Sequence, residues 1–198
     1  MRHGIALFCM LGILAIAGCA APEDLSGKAH GSEQGSHGTD TLVCNAITAK
    51  CGGTRSWRNN NPGNLQASVS AEFFCGARIR TEATTARVSH AIFETYEDGW
   101  NALICDLNAK ISGISTPLRT RYGEGYERTR TLRDLVKVYI GSSSISRVNG
   151  YLAAVRQATG YGANTIIAQL NATRLAPGIQ LAEGWIEGQP QRAPTPST

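Results

Sequence analysis

Four asparagines and an arginine crowd one short loop, Arg58-Asn59-Asn60-Asn61-Pro62-Gly63-Asn64-Leu65. Amides both donate and accept hydrogen bonds, so this set suits the recognition of polar groups rather than proton transfer. Pro62 fixes its own φ and biases Asn61 towards extended backbone, Gly63 is free to take a positive φ, and asparagine tolerates the left-handed region. The expectation is a shaped, donor-rich loop that stays out of the apolar core. The alternative is an asparagine-rich turn held by its own side-chain-to-backbone bonds.

The other reactive side chains narrow the chemistry. The chain has no phosphate loop, no H-E-x-x-H and no G-x-S-x-G. With His90 as the one histidine beyond residue 41, a serine or cysteine triad has no base to draw on. Of six cysteines, Cys9 and Cys19 lie in the first twenty residues and Cys44, Cys51, Cys75 and Cys105 follow. An even number in an oxidising compartment argues for two disulfides, and pairing of neighbours, Cys44 with Cys51 and Cys75 with Cys105, is expected among three connectivities. Each bridge would contribute on the order of 3 kcal/mol by restricting the unfolded chain. The rival is zinc, but no pair has C-x-x-C spacing; neither a metal nor another cofactor is expected. The net charge of +4 is too mild to imply nucleic acid. Arg119, Arg121, Arg128, Arg130, Arg133 and Lys137 interleave with Tyr122 and Tyr126, but Glu124 and Glu127 dilute them, and this stretch is expected to be an exposed, partly ordered loop.

The elements that must position these groups follow from capping and period. Thr95 with Asp98 three residues on starts a helix whose stripe is Trp100, Leu103, Ile104, Leu107 and Ile111, ending near Ser112. Thr131 and Asp134 repeat the pattern ahead of Leu132, Leu135, Val136 and Tyr139. Further helices are expected over 146–159, 164–172 and 177–186, the last with Pro177 in its first turn. Strand composition is confined to 78–93, as a hairpin. The expected class is mainly α with a small β-hairpin, an α+β domain over 42–188 stapled by two disulfides, without internal repeats. Residues 189–198, with three prolines, should be a disordered tail.

At the other end, Met1-Arg2-His3 is a basic head and Ile5 to Ala17 an apolar run too short to span a bilayer comfortably, so residues 1–18 read as a signal peptide. Ile16-Ala17-Gly18-Cys19 resembles the lipobox of bacterial lipoproteins. That resemblance implies cleavage before Cys19, lipid on its thiol and amino group, and a membrane partner through the anchor. Ordinary secretion with a coincidental cysteine is the alternative. Ala20 after the cysteine resembles the outer-membrane-sorted class, which would place the domain in the cell envelope facing the periplasm. Residues 19–41, rich in Gly, Ser, His and acids, read as a tether reaching a few tens of ångströms, at roughly 5–6 Å times the square root of its length. Loss of 1–18 lowers the formal charge to +3, since Arg2 is the one ionised group it removes.

Three motifs in order carry a second resemblance: the loop from Arg58 to Leu65, then Phe93-Glu-Thr-Tyr-Glu-Asp-Gly-Trp100 opening a helix, then Tyr151, Val155, Thr159 and Gly160 in a third element. They resemble a family of phage-virion and cell-wall-associated proteins built around an R-N-N-N-P-G-N signature. The order of elements is also similar to that of glucosaminidase-type cell-wall hydrolases. The resemblance implies a lysozyme-like fold, circularly permuted, acting on peptidoglycan glycan strands. It also implies that Arg58, Asn59, Asn60, Asn61, Asn64 and Tyr151 bind substrate. The glucosaminidase acid precedes the asparagine loop, yet Cys44 to Trp57 contains no Asp or Glu. In the phage-type relatives the acid sits in a final helix, which maps here onto Leu181-Ala-Glu-Gly-Trp-Ile-Glu187-Gly188 and makes Glu187 the first candidate and Glu183, one turn away, the reserve. The plainer alternative is that both merely solvate a terminal helix. Glu94 and Glu97 are candidates for a second carboxylate, against a capping role for Glu97 and Asp98. Tyr96, Trp100 and Tyr151 are candidate sugar-stacking faces. Two functions follow as expectations: a membrane-anchored glycan-strand hydrolase or lytic transglycosylase-like enzyme, or a lipoprotein of the same shape that binds cell wall or a wall-penetrating partner without cleaving, as phage or plasmid exclusion factors do. A plain structural lipoprotein is a third.

Overall fold

A disulfide-closed hairpin begins the described chain in the computed structural model, which covers residues 44–67, 72–81 and 89–190. The expected signal peptide, Cys19, the tether and residues 191–198 lie outside the described residues. Strand β1 (Cys44–Asn45) pairs antiparallel with β2 (Lys50–Cys51), and Cys44 is bonded to Cys51. A single helical turn, α1 (Arg55–Arg58), leads into the asparagine loop. Strands β3 (Gln66–Ala67), β4 (Phe73–Phe74), β5 (Ala77–Thr81) and β6 (Ser89–Phe93) make an antiparallel sheet in the order β3-β6-β5-β4. The expected hairpin over 78–93 is the β5–β6 pair, with Ile79 opposite Phe93. Alternation buries Ile79 and leaves Arg78 and Arg80 exposed.

Helix α2 (Tyr96–Ile111) starts as the caps foretell: the Thr95 hydroxyl accepts from the Asp98 amide at 3.1 Å. It buries Ala102, Leu103 and Leu107, and Cys105 on it is bonded to Cys75 between β4 and β5, so the sheet is stapled to the longest helix. Helices α3 (Thr116–Tyr122), α4 (Tyr126–Thr129), α5 (Leu132–Tyr139), α6 (Ile145–Thr159) and α7 (Ala172–Ala182) complete the core, and β7 (Gln189–Pro190) returns to pair with β2. This is a mixed α+β architecture with two small antiparallel sheets and two disulfides between sequence neighbours.

Four expectations need correction. Residues 119–130 are not an exposed loop but belong to α3 and α4, because Leu118 and Tyr126 are fully buried and the Tyr126 hydroxyl donates to the Lys110 carbonyl at 2.7 Å, while the helix expected after Thr131 is α5. The helix expected over 164–172 reduces to a 3₁₀ turn at Ile167–Gln169. The last helix starts earlier, at Ala172, with Asn171 as its cap, so Pro177 lies inside it. A proline there removes one helical hydrogen bond, a cost that close packing offsets: a side chain at Gly178 would meet Thr159 Cγ2 at 2.8 Å and the Val155 Cα at 3.0 Å. Finally, strand structure is not confined to 78–93, since the hairpin at 44–51 recruits Gln189–Pro190 as a third strand.

One contact couples the first two sequence motifs. A Cβ on Gly99, in the first turn of α2, would stand 1.8 Å from the Asn60 carbonyl oxygen, so only glycine lets the loop lie on the helix. Gly99→Ala should therefore destabilise the fold by about 1–3 kcal/mol through overpacking against backbone. Gly150→Ala, in open space on exposed α6, should instead stabilise by about 0.5–1 kcal/mol. Thermal denaturation followed by circular dichroism measures both, with opposite signs expected.

Candidate functional site

The asparagine loop turns inward. Asn59, Asn60 and Asn61 are only 2%, 4% and 0% exposed, which corrects the expectation of a loop presenting its amides. Asn61 donates both amide hydrogens, to the Leu65 and Ala91 carbonyls at 2.9 Å each, and accepts from the Leu65 amide at 2.7 Å. Asn60 donates to the Phe93 and Glu94 carbonyls at 3.2 and 3.0 Å and accepts from Lys50. Asn59 accepts from Asn45 at 2.7 Å. Arg58 reaches back to the Gly52 and Gly53 carbonyls at 3.3 and 2.6 Å. These groups splice the loop to β6 and to the first hairpin. Of the residues able to take a positive φ, Asn60 (50°) and Asn64 (47°) do so and Gly63 does not. Gly63 serves as space, since a Cβ there would meet Leu103 at 2.7 Å and the Tyr139 hydroxyl at 2.8 Å.

Asn64 is the amide that reaches across the molecule. Its Nδ2 donates to Glu183 Oε2 at 3.2 Å, and the Tyr151 hydroxyl donates to Glu183 Oε1 at 2.9 Å. Glu183 is the last residue capping α7, and Gly184 after it takes φ 69°, which stops the helix and leaves the carboxyl at its negative end. The structure thus joins Glu183, Asn64 and Tyr151. Glu187 is exposed and opens instead onto a cleft of about 350 Å³ shared with Lys50, Trp57, Tyr96, Gln180 and Trp185. A larger cleft of about 550 Å³, lined by Arg133, Asn149, Leu152 and Arg156 among others, touches neither glutamate. Tyr96 and Trp100 stack on each other at 5.9 Å, on α2. Thr95 and Asp98 are spent on the cap, as the second of two sequence readings had it.

Burial pushes the Glu183 carboxyl above the ordinary glutamate range; the hydrogen bonds from Tyr151 and Asn64 and the charge of Arg147 pull the other way without cancelling it. Burial also pushes Tyr151 and Tyr139 well up, with the negative charges of Glu183 and Asp106 adding to it, so both phenols remain neutral donors. Tyr139 donates to the Gly63 carbonyl at 2.6 Å and its ring lies 6.1 Å from that of Tyr151, with the ammonium of Lys110, which is paired to Asp106, over it at 5.3 Å. The buried Oδ1 of Asn64 has no hydrogen-bond partner among the described residues. Rotation of the amide exchanges Nδ2 for Oδ1, so Asn64 matches either state of the acid, donating to a carboxylate or accepting from a carboxyl proton.

Sequence reasoning missed Tyr139, Lys50 and Gln180. Tyr139 reads from sequence as one more core position of α5, and nothing in a hairpin lysine announces a partner in a distant cleft. No family model matches the chain, and a search of curated proteins finds no match.

A group whose folded pKa is raised binds its proton more tightly folded than unfolded. That contribution to stability is full below the unfolded pKa and is lost as pH rises through the folded value. Glu183→Gln, which mimics the neutral acid, should thus raise the Tm near neutral pH and lose that advantage towards about pH 4, where wild type is itself protonated. Asn61→Ala should do the reverse at every pH, by about 1–3 kcal/mol or more, because it takes their partner from the buried Leu65 amide and Ala91 carbonyl, while the Leu65 carbonyl keeps the Ala91 amide. Calorimetric scans across pH check both.

Proposed function

We propose that this protein cleaves the glycan strands of peptidoglycan, as a hydrolase or lytic transglycosylase-like enzyme of lysozyme-like fold, held to a membrane by lipid on Cys19. The observation that carries the reading is Glu183: a partly buried carboxyl with a raised pKa, joined at once to the asparagine loop and to the Tyr151 helix. Glycosidic cleavage needs an acid that keeps its proton near neutral pH. Glu183 gives that proton to the glycosidic oxygen as the bond to the anomeric carbon breaks, and the departing sugar leaves with a hydroxyl. The Tyr151 hydroxyl and Asn64 Nδ2 then hold the carboxylate left behind, which limits the penalty of forming a charge in a poorly solvated place.

The second half of the reaction is assigned to the substrate. Its own acetamido oxygen meets the positive charge developing at the anomeric carbon, in place of a second carboxylate. A later hydroxyl, from water or from the sugar itself, attacks the anomeric carbon, frees the acetamido oxygen and gives its proton back to the Glu183 carboxylate, completing hydrolysis or ring closure. Arg58, Asn59, Asn60 and Asn61 support the site from beneath, and Asn64 and Tyr151 touch the acid.

Zymography on sacculi separates cleavage from binding alone. Wild type should clear, Glu183→Gln should lose roughly 10²–10⁴ in rate, and Glu187→Gln should keep clearing. Sacculus pull-down without clearing by wild type would leave the non-catalytic lipoprotein reading in its place. The rate should fall as Glu183 loses its proton, above the usual glutamate range. Since the Tyr151 bond stabilises the carboxylate, Tyr151→Phe should move that limb to higher pH, and a limb that stays put or moves down refutes the assignment.

A further inference from the structure

The cleft beside Glu187 is built by three segments far apart in the chain: Lys50 and Trp57, Tyr96 of α2, and Gln180, Trp185 and Glu187. Its walls are rigid for local reasons. A Cβ on Gly53 would meet Gly188 N at 2.5 Å and the Ile186 carbonyl at 2.6 Å, and the Thr54 amide donates to that carbonyl at 3.0 Å. The segment carrying Trp185 and Glu187 is therefore laid directly on the disulfide-closed hairpin that carries Lys50.

Its chemistry is specific. Trp185 meets Tyr96 edge to face at 5.3 Å, and Trp100 stacks behind Tyr96, so two partly exposed rings form an aromatic corner. The Lys50 ammonium lies 4.6 Å from the Trp57 ring centre and 5.8 Å from that of Trp185. It donates to the Trp57 carbonyl and to Asn60, which leaves one of its three N–H groups uncommitted among the described residues. Gln180 Nε2 donates to the Tyr96 hydroxyl at 3.2 Å, leaving its carbonyl oxygen as an acceptor, and the Glu187 carboxylate is exposed at the rim. A purely apolar guest would strand the Lys50 and Gln180 groups without partners, and a polyanion would meet Glu187. A ring with an apolar face and hydroxyls that both donate and accept satisfies all of them.

We infer that this cleft binds a pyranose, an acetamido sugar of the same strand whose neighbouring linkage is presented to Glu183. The inference rests on the functional reading above for the identity of the strand. Gln180 and Glu183 are three residues apart at the end of α7, which sets their Cβ atoms about 5–6 Å apart, so the subsite lies one helical turn from the acid. Trp185 supplies the stacking face, Lys50 donates to a ring hydroxyl, and Gln180 and Glu187 accept from others.

The test is calorimetric titration of tri-N-acetylchitotriose into the full chain in detergent, in a Glu183→Gln background so that nothing is turned over. Saturable binding is expected, with little change between low and high salt because the ligand is neutral. Trp185→Ala should weaken it about tenfold, and the milder Glu187→Gln and Gln180→Ala about threefold or more, with Tm unchanged in the latter two. Arg156→Ala, in the other cleft, should leave affinity as it was. No binding at millimolar sugar, or affinity indifferent to all three cleft variants, overturns the inference while leaving catalysis by Glu183 standing. Conversely, sacculus clearing that survives Glu183→Gln removes the catalytic reading, while saturable sugar binding weakened by the cleft variants still supports the subsite.

Discussion

An amide with no access to water holds this structure together. Asn61 is fully buried, and its side chain satisfies three backbone groups, two on its own loop and one on β6 thirty residues away. In the interior each such group left unpaired costs about 1–3 kcal/mol, so the loop has one conformation or none. Asn60 adds two bonds to the β6 end, and its own carbonyl lies on Gly99. The sheet, the first turn of α2 and the loop are thereby one rigid body. Gly63 and Asn64 are carried on it, which is why Tyr139 can donate to one and Glu183 accept from the other.

On this rigid base the molecule tolerates an unfavourable charge. Glu183 ends α7 at the negative pole of the helix and partly out of water, both of which oppose ionisation. Two donors and a nearby arginine offset part of that cost without cancelling it. A neutral side chain would be more comfortable there, and residues that cost stability without repaying it in packing are commonly functional. Tyr151, buried, and Tyr139, half-buried, lie side by side and extend the polar layer towards Asp106 and Lys110.

The C-terminal segment after α7 has two roles. Glycines at 53 and 188 allow backbone-on-backbone contact, so the last described strand closes the first hairpin into a three-stranded sheet. The same closure carries Trp185 and Glu187 over Lys50 and makes the aromatic cleft. The two glutamates, four residues apart, consequently stand in different surroundings: Glu183 bonded to Asn64 and Tyr151, Glu187 exposed at a cleft rim.

Local signals in the chain were sufficient for the elements. The Thr95–Asp98 and Thr131–Asp134 caps, the stripe along α2 and the alternation around Ile79 act between residues a few positions apart, and each appears where its spacing places it. Pairing of neighbouring cysteines follows the same logic. The positions of Pro177 and of residues 119–130 differ from expectation because long-range packing, of Gly178 against α6 and of Leu118 and Tyr126 into the core, outweighs local preference. Asparagine types alone do not say whether an amide faces a ligand or the protein's own groups, and only β6 and the first hairpin, folded against the loop, decided that three face inward. Nor does a helix end containing two glutamates reveal which of them meets Asn64, since that contact spans 119 residues and exists only after the core has assembled.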